Sequence, residues 1–290
     1  MDDQREAVRA MQDYTSEHLK EEVTIGDLAA AVHFSPSYAR RIFEANLHMT
    51  PAVYIRRLKL SRSALMLRDE NVSVLKVAMD WGFGSVDGYQ RAFRKEFGCN
   101  PKEYSASPIP VWLFTPYFIM DNERKVRNMS EIRNVFIQVI EKPARKVIIK
   151  RGIKATEYFS YCEEVGCDVW GLLTSIKSIS GEPVCLWLPA HLRKPASNEY
   201  VQGVEVAADY NGVVPEGFEV IDLPAAKYLL FRGEPFHHED YAAAINEIWD
   251  AEKKYDPEFI GFAWDDKNPR IQLEPRGERG YIELVPVREK

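Results

Sequence analysis

Apolar and polar positions in residues 25–97 form one short pattern written twice, about fifty residues apart. The first copy sets Leu28, Ala29 and Val32 at helical spacing, breaks at His33-Phe34, and resumes after Ser35-Pro36 with Ala39, Ile42 and Phe43. The second sets Val77, Ala78 and Trp81, breaks at Gly82-Phe83-Gly84, and resumes after Ser85 with Tyr89, Ala92 and Phe93. Ser35 followed by Pro36 is a helix-start signal. Each copy therefore predicts helix, tight turn, helix. On the second helix of each copy the side away from the apolar residues is polar: Ser37, Arg40 and Arg41 first, then Asp87, Gln90, Arg91 and Arg94. Upstream, residues 4–20 carry Val8, Met11 and Leu19, and Thr24 offers an N-cap to a helix with Asp27 in its first turn. Between the copies Thr50-Pro51 opens a long helix with Tyr54, Leu58, Ser61 and Leu65 inward, which would set the spacing of the two units.

A short helix, a tight turn and a second helix with a basic face place side chains in the DNA major groove. Two copies on one chain predict that a single polypeptide reads two adjacent grooves. Arg41 and Arg91 are the first candidates for bidentate contact with guanine, worth roughly 1–3 kcal/mol of discrimination, with Arg40 and Gln90 next. Arg56, Arg57, Lys59 and Arg62 on the long helix suit phosphates, which hold register without reading sequence.

The residues Ile25-x-x-Leu28-Ala29, Phe34-Ser35-x-x-Tyr38, Pro51-x-x-Tyr54-x-x-Arg57-Leu58, Val77-Ala78-x-x-Trp81-Gly82-Phe83, Phe93-x-x-x-Phe97-Gly98 and Pro101-x-x-Tyr104 together resemble the AraC/XylS DNA-binding domain. The resemblance covers about a third of the chain. It implies a seven-helix domain over residues 1–107 whose two reading helices enter successive major grooves of double-stranded promoter DNA. It also leaves RNA polymerase as a candidate partner, and monomer and homodimer both open. Asp87 and Gly88 depart from the larger neutral polar residues common in the family. Asp87 can accept from cytosine N4 but repels phosphate, so the second helix is expected to lean on Arg91 and Arg94.

A net charge of −6 over 290 residues looks wrong for such a protein until it is divided. Residues 1–107 hold 15 Lys plus Arg and 15 Asp plus Glu, so the acidic excess lies entirely in the remainder, with 23 basic and 29 acidic residues. A neutral domain binds DNA when its cations share a face. The absence of a signal-like start and the shortness of the apolar run 109–120, broken by Pro110 and Pro116, predict a cytoplasmic protein without a membrane partner. Cys99, Cys162, Cys167 and Cys185 form no CxxC pair, and a five-residue spacing on one helix would point Cys162 and Cys167 to different sides; all four read as free thiols.

Residues 108–132 read as a connector: Pro108, Pro110 and Pro116 interrupt Trp112, Phe114, Tyr117 and Phe118, and the charged run 121–127 reads as an exposed hinge. Beyond it a second duplication appears. Val139 to Gly152, with Lys142-Pro143-Ala144, recurs 81 residues later as Val220 to Gly233, with Leu223-Pro224-Ala225, and Tyr200 to Val206 answers Tyr281 to Val287 at the same offset. Each copy predicts strand, turn, strand, helix (155–176 and 238–254), strand, strand. The fold class expected is two domains, an all-α double helix-turn-helix domain followed by an α+β domain of two pseudo-symmetric β-β-α-β-β repeats over residues 133–290, with a cleft at their junction.

The Leu223-Pro224-Ala225-x-Lys227-Tyr228 turn, the Gly203-Val204-Glu205-Val206 strand and the closing Tyr281-Ile282-x-Leu284-Val285-Pro286-Val287 resemble the GyrI-like effector-binding domain, joined to an AraC-type reader as in Rob-like regulators. That resemblance implies a pocket for a small-molecule effector, aromatic or cationic, with an acidic residue before the last strand that matches Glu274. A carboxylate among aromatic faces pairs with a cation, and Trp170, Trp187, Trp249 and Tyr228 are the aromatics placed near it. Pro275 and Arg276 replace an aromatic residue common in the family.

No GxSxG, HExxH, phosphate loop or dinucleotide fingerprint occurs, and adjacent histidines at 237 and 238 do not converge on a metal. No catalytic residue, metal or cofactor is expected. The reading is a transcriptional regulator that is not an enzyme. Two alternatives for the C-terminal half are a GyrI-like hydrolase of reactive compounds, with Glu274 as general base, and a module that binds a protein partner.

Overall fold

Hydroxyl and amide side chains punctuate the N-terminal helices. A computed structural model describes residues 2–116, 134–237 and 240–290, which fall into two compact units that divide between Arg124 and Lys125. The first contains α1 (Asp2–Glu17), α2 (Ile25–Ala31), α3 (Pro36–Leu47), α4 (Pro51–Asp69), α5 (Val74–Asp80), α6 (Val86–Phe97) and α7 (Pro101–Ala106). Thr24, Ser35, Thr50, Ser73, Ser85 and Asn100 each accept a backbone N–H from the first turn that follows them. Such caps satisfy donors that the helix itself cannot.

The two turns are built alike. Phe34 N–H donates to the Ala29 carbonyl and Phe83 N–H to the Ala78 carbonyl, both at 2.9 Å. Each turn needs one residue in the left-handed region, supplied by His33 (φ 56°) in the first and by Gly82 (φ 72°) in the second. Leu28, Ala29, Ala39, Ile42 and Phe43 from the first copy and Val77, Ala78, Tyr89 and Phe93 from the second share one core with Tyr54, Leu58 and Ala64 of α4. Val111 and Leu113 join that core, and Phe114 N–H donates to Ser61 Oγ at 2.7 Å, so the first part of the expected connector packs on this unit. The run 121–127 read as a hinge lies outside the described residues, as do Tyr117, Phe118 and His238.

The second unit is a mostly antiparallel sheet with helices. It runs β1 (Phe136–Lys142), β2 (Arg145–Arg151), α8 (Tyr158–Val165), α9 (Val169–Ser175), β3 (Val184–Trp187), β4 (Tyr200–Ala207), β5 (Glu219–Leu223), β6 (Ala226–Arg232), α10 (Tyr241–Lys254), β7 (Phe262–Trp264), β8 (Arg270–Gln272) and β9 (Ile282–Glu289). The strand order is β1-β6-β9-β8-β3-β4-β2-β5, with β7 on β9. First hairpin strands are exchanged: β1 pairs with β6 and β5 with β2. The register Arg145↔Ala207 and the register Lys227↔Val287 coincide once residues 81 apart are equated.

Strands far apart in that order meet through side chains. Lys142 of β1 and Arg145 of β2 both pair with Glu205 of β4, at 2.6 and 2.5 Å, and Arg145 Nη2 donates to Tyr228 OH of β6 at 3.1 Å. The sheet therefore curls, and its inner face holds Val147, Ile149, Leu186, Val201, Tyr228, Ile271 and Leu284. The outer face carries the helices: α9 on Ile148, Val204 and Val206, and α10 on Leu229, Phe231 and Val287. Glu205 is fully buried; burial pushes its carboxyl pKa upward, but Lys142 and Arg145 outweigh that and hold it below the ordinary value.

Two expectations are corrected. The first long helix is two, because Gly166 takes φ 102° and ends α8. That break leaves Cys162 and Cys167 near one another as free thiols, and burial together with Cys167 raises the Cys162 pKa.

Candidate nucleic-acid interface and an interior polar row

In α3, Ala39, Ile42 and Phe43 are buried, which leaves Ser37, Arg40 and Arg41 exposed on the opposite side. Arg41 lies over the Tyr38 ring at 4.9 Å, and Arg40 Nε is paired with Glu44 at 2.7 Å, four residues on. An exposed pair of this kind contributes little to stability and releases its arginine readily to a phosphate or base edge. In α6, Tyr89 and Phe93 are buried, Asp87, Arg91 and Arg94 are exposed, and Gln90 is half-buried. Among the described residues no ion pair engages Arg41, Arg91 or Arg94. Counting from Ser35 and Ser85, Arg41 and Arg91 hold equivalent positions, whereas Glu44 on α3 is replaced by Arg94 on α6.

Arg57 is placed differently from the phosphate contact expected of it. Its Nε donates to Glu96 of α6 at 2.6 Å and its guanidinium stacks over Phe114 at 4.6 Å, so it ties α4 to α6 and to the following segment. Lys59 Nζ is likewise engaged, donating to the Glu21 carbonyl at 2.8 Å, and burial lowers its pKa. Arg56 and Arg62 are the exposed cations of α4.

In the second unit, residues opposite one another on adjacent strands share a face. The pairs Glu283↔Phe231, Gln272↔Glu283, Cys185↔Gln272 and Cys185↔Gln202 thus define one row across four central strands on the helix-bearing side. Helices α8 and α9 lie against β4 and α10 against β6, so β3 and β8 sit between them. Gln202 and Glu283 are fully buried, and Gln272 and Cys185 nearly so. Neither polar atom of the Gln202 amide has a hydrogen-bond partner among the described residues, and the Tyr281 hydroxyl has none. A buried polar group without a partner is costly.

Beside the row, Arg270 of β8 lies over the rings of Trp187 at 5.0 Å and Trp249 at 5.9 Å, and its Nη2 is 2.7 Å from both Glu252 and Glu283. Burial, with Glu283 adding to it, pushes the Glu252 carboxyl up to about 8. Burial raises Glu283 as well, against the pull of Arg270. One guanidinium does not neutralise two buried carboxylates, so a proton completes the balance.

The expected ligand residues are therefore only partly assembled. Trp170 and Trp187 pack with Cys185 and Tyr200 on the helix side, and Trp249 faces Arg270 there too. Tyr228 is on the other face, because it pairs with Pro286, out of phase with Glu283, and it is held by Arg145. Glu274 lies near enough to Cys185 to raise that thiol's pKa, but its carboxylate is 40% exposed and is paired with Arg276 at 2.9 Å. The buried acids are Glu252 and Glu283, which the sequence reading did not single out. Glu283 had a signal: it is a charged residue in phase with Tyr281, Val285 and Val287 on an alternating strand, 81 residues after Gln202.

The family model described as a helix-turn-helix domain matches residues 28–107. Regulatory protein SoxS of Escherichia coli K12 is 31% identical over 91 residues, which cover 31% of this chain and 85% of that protein. The HTH-type transcriptional activator RhaR of Mannheimia succiniciproducens is 32% identical over 89 residues, and the chain spans only 32% of its length. Among solved structures, the DNA-binding domain of AdpA in complex with a target DNA is 25% identical with a TM-score of 0.33, covering 34% of this chain and 89% of that one. The chain belongs to the AraC-type helix-turn-helix family of transcriptional regulators, and its N-terminal helical unit is a DNA-binding domain. Among the described residues no helix is long and apolar enough to cross a membrane.

The raised carboxyls carry a pH signature. A folded-state pKa of about 8 against an ordinary 4.5 means that the folded chain binds an extra proton between those values. The associated stability is present below about pH 4.5 and is lost as pH rises through 8. Hydrogen exchange at the β8 and β9 amides is expected to show this part of the sheet weakening on the order of 3 kcal/mol between pH 5.5 and 8.5. In Glu252→Gln that slope is expected to flatten, and an unchanged slope would assign the proton elsewhere.

Proposed function

We propose that α3 and α6 each enter a major groove, with Arg41 and Arg91 reading base edges, Ser37, Arg40, Gln90 and Arg94 beside them, and Asp87 limiting what the second helix accepts. The single observation that carries this reading is the matching exposure of Arg41 and Arg91 on helices whose opposite sides are buried in one shared core. Of the four α4 cations expected to meet phosphate, the exposed Arg56 and Arg62 do so, while Arg57 and Lys59 are engaged within the unit. Binding of double-stranded promoter DNA by a neutral helical domain in an acidic chain then depends on the placement of these cations.

The C-terminal unit is a sensor for a small-molecule effector, with the GyrI-like architecture of two pseudo-symmetric β-β-α-β-β repeats. The equal registers at an 81-residue offset and the exchanged hairpin strands support that architecture. The unpartnered Gln202 amide, at the β4 end of the polar row and opposite Cys185, which packs with Trp170 and Trp187, supports a ligand site there. An effector changes DNA affinity only through unequal affinity for two states of the chain.

Fluorescence anisotropy on promoter and random duplexes tests the DNA reading. Arg41→Ala is expected to weaken promoter binding by about tenfold or more while random-sequence binding changes little; equal losses on both would remove the base-reading role. Titration of 2-naphthol, 2-naphthoate and 2-naphthylmethylammonium, followed by tryptophan quenching, tests the sensor. At least one is expected to saturate the parent chain and to bind severalfold more weakly to Gln202→Leu. No saturable quenching by any of the three, or indifference to Gln202→Leu, would remove the site.

A further inference from the structure

Arg270 stands where a ligand cation would be best held. Its guanidinium lies near two indole rings, Trp187 at 5.0 Å and Trp249 at 5.9 Å, and its Nη2 is 2.7 Å from the carboxylates of both Glu252 and Glu283. Paired aromatic faces with a carboxylate are the chemistry that recognises a planar cation. The carboxylates are built into the fold: Glu283 is fully buried on β9, and the Glu252 side chain is 10% exposed on α10. The cation is the less fixed partner. Its side chain is 33% exposed, it rides on a three-residue strand, and its Nε makes no hydrogen bond among the described residues.

We propose that Arg270 is a tethered occupant of a planar-cation site and that an effector carrying a guanidinium or amidinium group takes the site by displacing it. The proposal rests on reading the helix-side row as the ligand site, and it narrows the class of ligand that the row accepts. Removing the guanidinium without replacement would strand two buried carboxylates, so Arg270 leaves only when another cation arrives. The exchange is therefore one for one. It turns Arg270 outward in the bound state, a change that a ligand filling empty space would not produce. The orphan Gln202 amide, on the same face and two strands from β8, is available to the rest of such a ligand.

Benzamidinium chloride, titrated calorimetrically into the full chain, is the test. The parent is expected to bind it weakly because the internal cation competes, and Arg270→Ala at least tenfold more tightly. Arg270→Lys, which keeps a charge but not a plane, should fall between the two, and it decides the matter if Arg270→Ala does not fold. In Arg270→Lys/Glu283→Gln the gain should be lost. Equal affinity in parent and Arg270 variants, or a gain that survives Glu283→Gln, would overturn the proposal. If a naphthalene probe binds the parent in a Gln202-dependent way while benzamidinium gains nothing from the Arg270 variants, the displacement idea falls and the site stands. If no probe binds any form, both fall.

Discussion

Packing around α4 is the constraint on which the DNA-binding unit depends. An amphipathic surface helix buries one stripe, but α4 buries residues around most of its circumference, from Pro51, Tyr54 and Ile55 to Ser63, Ala64 and Leu67. It is pinned on several sides by hydrogen bonds from other elements. Gln12 Nε2 of α1 donates to Tyr54 OH at 3.2 Å, Tyr89 OH of α6 donates to Ser63 Oγ at 3.0 Å, and the Phe114 backbone donates to Ser61. Arg57 adds its ion pair with Glu96 of α6. Burial pushes the Tyr54 phenol up to about 12, and that of Tyr89 higher than the ordinary value, so both remain neutral donors or acceptors across the physiological range. Helices α3 and α6 share that one spine, so neither tilts independently of it.

Charge is arranged differently in the two units. The helical unit keeps Arg41, Arg91 and Arg94 exposed and spends Arg57 and Lys59 on its own architecture. In the sheet unit, cations are drawn inward. Arg145 is buried against Glu205 and Tyr228, and Arg270, a third exposed, is paired with Glu252 and Glu283. The first cluster balances two cations against one carboxylate; the second balances one cation against two. A buried cluster with surplus carboxylate is the one that holds a proton, and it lies on the same sheet face as the unsatisfied Gln202 amide.

Much of this was legible in the sequence because local rules decide it. The copies at an offset of about fifty, the caps Thr24, Ser35 and Thr50, and the inward set Ala39, Ile42, Phe43, Tyr89 and Phe93 follow from helical spacing and capping chemistry. The 81-residue offset announced strands that pair in equivalent registers. What failed depended on choices that spacing does not make. Whether Arg57 meets phosphate or Glu96 depends on how α4 crosses α6. Whether Tyr228 or Glu283 shares a face with Trp249 depends on strand register, where a shift of one residue reverses the side. Gly166 broke a helix that periodicity alone carried through. Glu274 was chosen because it precedes the last strand, but Glu283 within that strand is the carboxylate that the fold buries.

The most direct measurement of the central claim is a hydroxyl-radical footprint of one copy of the chain bound to a short duplex bearing one promoter site. A rigid spine carrying two equivalent reading helices predicts two protected patches on one side of the duplex, separated by about one helical turn, roughly 10 base pairs. A single patch, or two patches on opposite sides of the duplex, would contradict it.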